Sequence, residues 1–288
     1  MADETKDNRP PHRGLMKGLY VIPTLFTAAN VAMGFWAVIS SIRGFAVIGA
    51  DPSRAAGYFD QGAMAIGLAI LFDTMDGRIA RATRTATEIG VQFDSLADVL
   101  TFGIAPTALL FAWAIGPTFS ENTPGYGLGV FLIFAYLMCG AFRLARFNLL
   151  ATRPAKLAAG ATKVDKKYFV GLPIPPSGGL IAALVHFAPL PMSAYGTHAA
   201  HYYTYALLGL VAVLSILMVS TIRYYSGKGA KPTGRPGFLI VLVLAGVGML
   251  IWFYSQYALM IIAAAYVAHG LVLWVFRSLF LKSRIAEA

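Results

Sequence analysis

The sequence predicts an all-α protein that crosses a membrane several times. Hydrophobic residues make up 58% of the 288 positions and charged residues only 12%. Apolar runs of about 20 residues recur, which is the length a helix needs to cross about 30 Å of hydrocarbon. Of the 23 Lys and Arg residues, 21 fall on alternate connections, and only Arg43 and Arg54 fall on the others. By the positive-inside rule, both chain ends and the basic loops are predicted to face the cytoplasm.

Eight segments are predicted to span the membrane: 20–42, 58–82, 92–115, 126–149, 172–190, 202–222, 237–255 and 257–276. These segments divide into a transmembrane core at 20–223 and a C-terminal hairpin at 237–276. Residues 1–19 are predicted to form a cytoplasmic tail with a possible interfacial helix, and 277–288 a second tail. We expect the hairpin to serve contacts in a homodimer, in the inner membrane of a prokaryotic cell.

The net charge of +10 could indicate nucleic-acid binding, but the distribution of the basic residues argues against it. They are concentrated in the short loops on one side of the predicted bundle, where anionic lipid headgroups would attract them. We therefore expect membrane lipids as partners and no nucleic acid.

Four carboxylates occur within or beside two of the apolar segments: Asp73, Asp76, Asp94 and Asp98. On helices, the first pair lies on one face and the second pair on another, one turn apart. If these faces meet, the acids share one pocket, and such repelling anions require cations. Carboxylate oxygens suit Mg²⁺, Mn²⁺ or Ca²⁺. The working hypothesis is a site for two divalent ions, Mg²⁺ or Mn²⁺, with Asp73, Asp76, Asp94 and Asp98 as ligands.

Two other interpretations of the acids stay open at this stage. They could be ordinary helix-end charges paired with three nearby arginines: Arg78, Arg81 and Arg84. Four acids in a membrane would also suit a divalent-cation carrier, because ionisable groups there are functional by default. The small residues beside Arg81 favour an enzyme, since a carrier has no use for an arginine that binds phosphate.

Small residues follow the first two acids. Gly77 and Ala80 lack bulk, so a pyrophosphate could approach the backbone, and Arg81 offers a fork of donors to phosphate oxygens. Close helix packing would explain the same small residues. Thr87 could donate to a phosphate or cap a helix.

The complete pattern is D-x2-D-G-x2-A-R-x8-G-x3-D-x3-D, and it is met by Asp73, Asp76, Gly77, Ala80, Arg81, Gly90, Asp94 and Asp98. It resembles the signature of the CDP-alcohol phosphotransferase family, whose members transfer a phosphate-linked group from a CDP-activated donor to an alcohol. The resemblance implies a six-helix core, to which the hairpin is an addition. It also implies Asp73, Asp76 and Asp94 as metal ligands and Asp98 as the catalytic base.

Thr27 and Asn30 lie on one face of the first predicted span. Such groups often hydrogen-bond to a neighbouring helix. The family resemblance favours contact with the nucleotide donor instead, alongside Gly77, Ala80, Arg81 and Thr87.

Three further stretches, FDSLADVLTFGIAP, RLARFN and GLPIPPSGG, resemble the phosphatidylserine synthase branch of the family. That branch uses CDP-diacylglycerol as donor and L-serine as acceptor, and the resemblance implies the same substrates here. Arg143 and Arg146, with Asn148, are then candidates for binding the serine carboxylate. From the residues alone, both arginines could simply snorkel to the membrane surface. Glycerol 3-phosphate or an inositol phosphate stays open as an alternative acceptor.

Overall fold

A computed structural model of the protein describes residues 13–83, 88–152, 168–225 and 237–285. Within these ranges the α-helices are α1 (Arg13–Val47), α2 (Pro52–Thr83), α3 (Glu88–Asp98), α4 (Ala105–Leu110), α5 (Gly116–Thr118), α6 (Pro124–Thr152), α7 (Ile174–Phe187), α8 (Thr197–Val219) and α9 (Gly237–Ile285). Two π-helical turns, Val99–Ile104 and Phe111–Ile115, and a 3₁₀ turn, Met192–Tyr195, complete the helical elements. Two short strands are β1 (Tyr168–Val170) and β2 (Arg223–Tyr225).

The predicted all-α membrane fold is confirmed. In the described ranges, six helical segments are long and apolar enough to cross a membrane: Thr24–Val47, Pro52–Ile79, Ile89–Thr118, Pro124–Leu149, Thr197–Val219 and Ala245–Trp274. The count differs from the predicted eight at two places. The segment predicted at 172–190 forms a helix of only 14 residues, which begins after the extended Pro173 and ends at Phe187, before Pro189.

A single apolar stretch long enough to cross a membrane, Ala245–Trp274, covers most of the two predicted C-terminal spans. The chain nevertheless forms two helices there, which meet at a kink at Tyr254 (φ −136°, ψ 46°) and together make up α9. The kink lies at the end of the span predicted at 237–255. The second of the two helices extends into the predicted tail at 277–288, as far as Ile285.

The first helix is also longer than predicted. It begins at Arg13, so the candidate interfacial segment is continuous with the first span. Residues 1–12 of the tail predicted at 1–19 lie outside the described residues.

The third span is assembled from alternating α and π turns. It runs through α3, α4 and α5 without leaving a helical path, and the first π turn begins directly after Asp98. Pro106 lies in the first turn of α4, between the two π turns. Proline lacks a backbone N–H, and π turns are common near functional sites. The irregular part of this span thus adjoins the acidic motif.

Close helix contacts hold the bundle together. A Cβ added at Gly34 of α1 would lie 2.5 Å from the Thr101 hydroxyl and 2.8 Å from its Cα. Thr101 in turn donates a hydrogen bond of 3.2 Å to the Asn30 carbonyl. Gly34 therefore serves the close packing of α1 against the third span. The largest fully buried side chains come from several helices and from β2, and they include Tyr136, Tyr224, Phe59, Phe102, Ile66 and Leu208.

A two-stranded antiparallel sheet, absent from the sequence prediction, joins the connections that follow α6 and α8. Phe169 pairs with Tyr224, and Val170 with Arg223. Gly171 then turns into α7 with φ +79°, and a Cβ there would lie 2.4 Å from the Met218 carbonyl oxygen. Only glycine suits this position. The sheet therefore ties the start of α7 to the end of α8, at the end of the bundle that carries the acidic motif.

The opposite end of the bundle is closed by a capped turn between α1 and α2. Asp51 accepts hydrogen bonds from the Ser53 hydroxyl at 2.6 Å and the Arg54 amide at 3.0 Å, with Pro52 at the first helical position. These bonds, that from Ser53 foremost, lower the pKa of Asp51.

Candidate functional site

Three motif carboxylates meet where the end of α2 faces the start of α3. Asp73, Asp76 and Asp94 each offer an oxygen atom within 4.8 Å of the other two. Asp76 is buried, and the other two are half-buried. The shared pocket that helical spacing predicted for these acids is therefore present, with carboxylates contributed by two helices.

Asp98 lies one turn beyond Asp94 and is only 8% exposed. Its electrostatic neighbours are the three acids of the cluster and Arg143 of α6. Among the residues that the structure describes, its Oδ1 atom has no hydrogen-bond partner. Asp98 thus neighbours both the acidic cluster and the buried guanidinium of Arg143, and it connects these two parts of the site.

Helix α1 places two polar side chains against the cluster. The Thr27 hydroxyl donates a hydrogen bond of 3.1 Å to Oδ2 of Asp76, inside the bundle. Asn30, one turn further along, is fully buried, and neither polar atom of its side-chain amide has a hydrogen-bond partner within the described ranges. A buried amide without partners is costly. Asn30 is therefore suited to a ligand in the site.

For the remaining residues predicted to bind the donor, the structure describes only some of the side chains. Gly77 is half-buried on α2, next to Asp76. Ala80 and Arg81 lie in the helical backbone of α2, but their side chains are outside the described part of the chain, as is Thr87. Their predicted contacts with the nucleotide stay predictions.

The three residues predicted to bind the acceptor differ in their surroundings. Arg143 is 7% exposed, and its Nε atom has no hydrogen-bond partner among the described residues. Arg146 donates to the carbonyl of Val170 at 3.2 Å and to that of Val219 at 3.4 Å. Its guanidinium thereby joins β1 to the end of α8.

Asn148 has a similar bridging contact. Its Nδ2 atom donates to the Ser95 hydroxyl at 2.9 Å, which connects α6 to α3. Arg143 thus has a buried donor atom, Nε, that lacks a hydrogen-bond partner among the described residues. Serine contacts by Arg146 and Asn148 stay predictions.

The donor atoms of the site fit divalent metal ions. The cluster offers carboxylate oxygens from several residues, which are the ligands that Mg²⁺ and Mn²⁺ prefer. Four neighbouring anions are also costly to bring together without cations. The residues present therefore suit the two ions predicted from the sequence.

The sequence does not single out Tyr266, a neighbour of Arg143, or Tyr224, whose ring stacks on that of Tyr266. Tyr266 belongs to α9 and Tyr224 to β2. Both lie far along the chain from the motif, in segments without a motif of their own. Only the folded chain brings them together.

A second polar arrangement that the sequence did not indicate lies at the opposite end of the bundle. His186, in the last turn of α7, shares a hydrogen bond of 2.5 Å with Asp60 of α2 through Nδ1 and one of 2.9 Å with Ser255 of α9 through Nε2. The partners of the His186 ring are thus a carboxylate and a hydroxyl. The arrangement attaches α9 to the core.

Comparison with known proteins identifies a family whose sequence model matches most of the chain. The sequence model for CDP-alcohol phosphatidyltransferases matches residues 20–217, which contain α2, α3 and the acidic cluster. The match ends before β2 and α9.

Curated relatives are named as CDP-diacylglycerol–serine O-phosphatidyltransferases or as an archaetidylserine synthase. The chain is 30% identical over 261 residues to a CDP-diacylglycerol–serine O-phosphatidyltransferase of Helicobacter pylori, covering 90% of this chain and 92% of the relative. It is 35% identical over 160 residues to an enzyme of the same name from Methanocaldococcus jannaschii, covering 55% and 61%. An archaetidylserine synthase of Methanothermobacter thermautotrophicus is 28% identical over 214 residues, covering 73% and 72%.

Proposed function

The chain belongs to the CDP-alcohol phosphatidyltransferase family, and from this premise we propose that it transfers the phosphatidyl group of CDP-diacylglycerol to the hydroxyl of L-serine. The products are phosphatidylserine and CMP. The names of its relatives support this acceptor and this donor. The observation that carries the proposal is the meeting of Asp73, Asp76 and Asp94 within 4.8 Å, at the junction of two helices.

Asp73, Asp76 and Asp94 would hold two divalent ions, Mg²⁺ or Mn²⁺, with Asp98 within reach of the second. When bound, such ions supply positive charge that stabilises the attacking and leaving oxygens of a phosphoryl transfer. The hydrogen bond from Thr27 to Asp76 holds that carboxylate in one orientation. Orienting bonds of this kind tune the affinity of a metal site.

Asp98 is assigned as the general base. Its carboxylate accepts the proton of the serine hydroxyl while the serine oxygen forms a bond to the phosphorus that carries the lipid. The bond from this phosphorus to the bridging oxygen breaks, and CMP leaves with that oxygen. The unpartnered Oδ1 of Asp98, next to the acidic cluster, supports this role.

The nucleotide-lipid donor would bind between α1 and α2. The unpartnered amide of Asn30 is suited to the nucleotide. Gly77, Ala80 and Arg81 of the family motif complete the proposed donor contacts, together with Thr27 and Thr87 from outside the motif. The serine carboxylate would bind Arg143, because Nε of this guanidinium has no hydrogen-bond partner within the described ranges and the side chain neighbours Asp98.

We also propose that the acidic end of the bundle faces the cytoplasm of a prokaryotic cell, with both chain ends on that side. The concentration of Lys and Arg in the loops of this end supports the orientation. A homodimer remains a prediction. The first part of α9 leaves large apolar side chains exposed, among them Val247, Leu250 and Trp252, which would face lipid or a second copy.

The deciding experiment is an assay of the purified protein with radiolabelled CDP-diacylglycerol and separate acceptors: L-serine, glycerol 3-phosphate and an inositol phosphate. We expect labelled phosphatidylserine in the presence of Mg²⁺ or Mn²⁺, and none after chelation. Product from another acceptor in place of serine would contradict the acceptor assignment. The divalent-cation carrier is tested in the same preparation, since metal uptake by liposomes without lipid turnover would overturn the enzyme assignment.

A further inference from the structure

The second part of α9 is attached to the core at the end opposite the acidic cluster. Ser255, directly after the helix break, hydrogen-bonds to His186, which Asp60 holds from the other side. The rings of Phe187 and Tyr257 meet edge to face, with centroids 5.6 Å apart. These contacts set the position from which α9 runs along α7 toward the acidic end.

At the acidic end, α9 approaches β2 very closely. A Cβ added at Gly270 would lie 2.1 Å from Cε1 of Tyr224, so only glycine permits this contact. Four residues earlier on the same helix, Tyr266 stacks on the Tyr224 ring with centroids 6.0 Å apart and planes inclined by 26°. The helix thereby places the Tyr266 hydroxyl group in a defined position beside the site.

Tyr266 is the common neighbour of two buried donors. It interacts electrostatically with Arg143 and with Tyr224. Among the described residues, neither Nε of Arg143 nor the hydroxyl of Tyr224 has a hydrogen-bond partner. Burial first, and then the neighbouring Tyr266, raise the pKa of Tyr224 to about 12, so its hydroxyl keeps its proton at neutral pH. Both groups can therefore donate hydrogen bonds to a ligand.

We infer that Tyr266 and Tyr224 form, together with Arg143, the pocket that binds the carboxylate of the acceptor. The inference rests on the proposed function and extends it to a helix outside the family match at 20–217. A carboxylate is an acceptor-only group, and it would satisfy the two unpartnered donors at once. An alcohol without a carboxylate would leave them buried and unpaired, which costs binding free energy. The C-terminal helix would thus select an amino acid over a neutral alcohol.

The test compares Tyr266→Phe with wild type in steady-state kinetics, at fixed CDP-diacylglycerol and varied acceptor. Loss of one hydrogen bond to a charged group should raise the serine KM about tenfold and leave the donor KM unchanged. Serinol, which has a second hydroxymethyl group where serine has its carboxylate, serves as the second acceptor. The preference for serine over serinol should fall by about the same factor, because serinol never used the pocket. Tyr257→Phe, on the same helix but at the far end, is the matched control and should behave as wild type.

A second variant, Tyr224→Phe, tests the same pocket in case Tyr266→Phe fails to fold. Tyr224→Phe keeps the ring that stacks on Tyr266 and removes only the hydroxyl, and it should also lower the preference for serine over serinol. In an Arg143→Ala background, Tyr266→Phe should add little, because both groups act on the same carboxylate. If Arg143→Ala raises the serine KM while both tyrosine variants leave it and the preference unchanged, the inference is wrong and the proposed function stands. If wild type does not use serine at all, the proposed function itself fails.

Discussion

Asp94 and Asp98 lie one turn apart on α3 but have different neighbours. Asp94 shares an oxygen cluster with Asp73 and Asp76, whereas Asp98 is buried between that cluster and Arg143. Helical periodicity placed both on one face, but it could not divide the roles of ligand and base between them. The proposed division comes from the family resemblance, and it is consistent with the membership of Asp94 in the three-carboxylate cluster and with Arg143 as a neighbour of Asp98.

Replacement of Asp94 and of Asp98 by asparagine should affect different properties: metal affinity in the first case and kcat in the second. Asp94→Asn should weaken divalent-ion binding by more than the roughly 10- to 100-fold that loss of an outer-shell partner causes. Asp98→Asn should lower kcat by about 10²- to 10⁴-fold, the usual contribution of a general base, and preserve donor affinity better than activity. Metal titration by calorimetry and steady-state kinetics measure the two effects. Asp51→Asn, in the capped turn at the opposite end, is the control, and equal loss of metal affinity in Asp98→Asn would make Asp98 mainly a ligand.

Replacement of the two arginines of α6 should also have different effects, on the serine KM for Arg143 and on thermal stability for Arg146. Arg143→Ala should raise the serine KM roughly tenfold to a hundredfold, because a hydrogen bond to a charged group contributes about 1.5–3 kcal/mol. Arg143→Lys should recover only part of this, since lysine lacks the planar fork. Arg146→Ala should lower thermal stability with a smaller effect on serine KM, because it loses two bonds to backbone carbonyls. Steady-state kinetics with varied serine measure the effect on KM, and thermal unfolding in detergent measures the effect on stability. An unchanged serine KM in Arg143→Ala would place the carboxylate site elsewhere.

At the scale of elements, the approach of α1 to the third span decides where Thr27 and Asn30 lie. The contact depends on Gly34, because the neighbouring atoms include the backbone of Thr101. Backbone atoms cannot move aside as a flexible side chain can. The donor side of the site is therefore coupled to a helix contact one turn away from Asn30.

Gly34→Ala should destabilise the protein by about 1–3 kcal/mol, as overpacking does, and reduce activity along with it. Gly57→Ala on α2 is the matched control, since a Cβ there meets nothing within 4 Å. Alanine favours the helix by up to about 1 kcal/mol relative to glycine, so the control should be neutral or stabilised. Thermal unfolding in detergent compares the two. Equal stability of both variants would show that the close contact is not formed.

At the scale of the whole molecule, the acidic cluster and the two-stranded sheet belong to one end of the bundle. The capped turn at Asp51 and the connection after α5 belong to the other. This arrangement allows the proposed orientation to be tested without disturbing the site. It also explains how residues from six separate segments contribute to one region.

Cysteine labelling tests this orientation. With Cys139 replaced by alanine, Ser120→Cys and Val170→Cys each introduce one exposed thiol, at opposite ends. In intact cells a membrane-impermeant maleimide should label the thiol at 120 and not the one at 170. Both should react after the cells are opened, which is the internal control. The reverse pattern would place the acidic end outside the cytoplasm.

By itself the sequence determined the membrane fold, the family and the acids that meet. Apolar length and helical periodicity are local properties, and the motif with Asp73 and Asp94 spans only two adjoining helices. Only the tertiary structure decided that Arg143 keeps an unused donor while Arg146 binds carbonyls. It also decided that α9 carries Tyr266 to the site, and that two strands close that end. These facts depend on contacts between segments far apart in the chain, whose energies no local pattern of residues records.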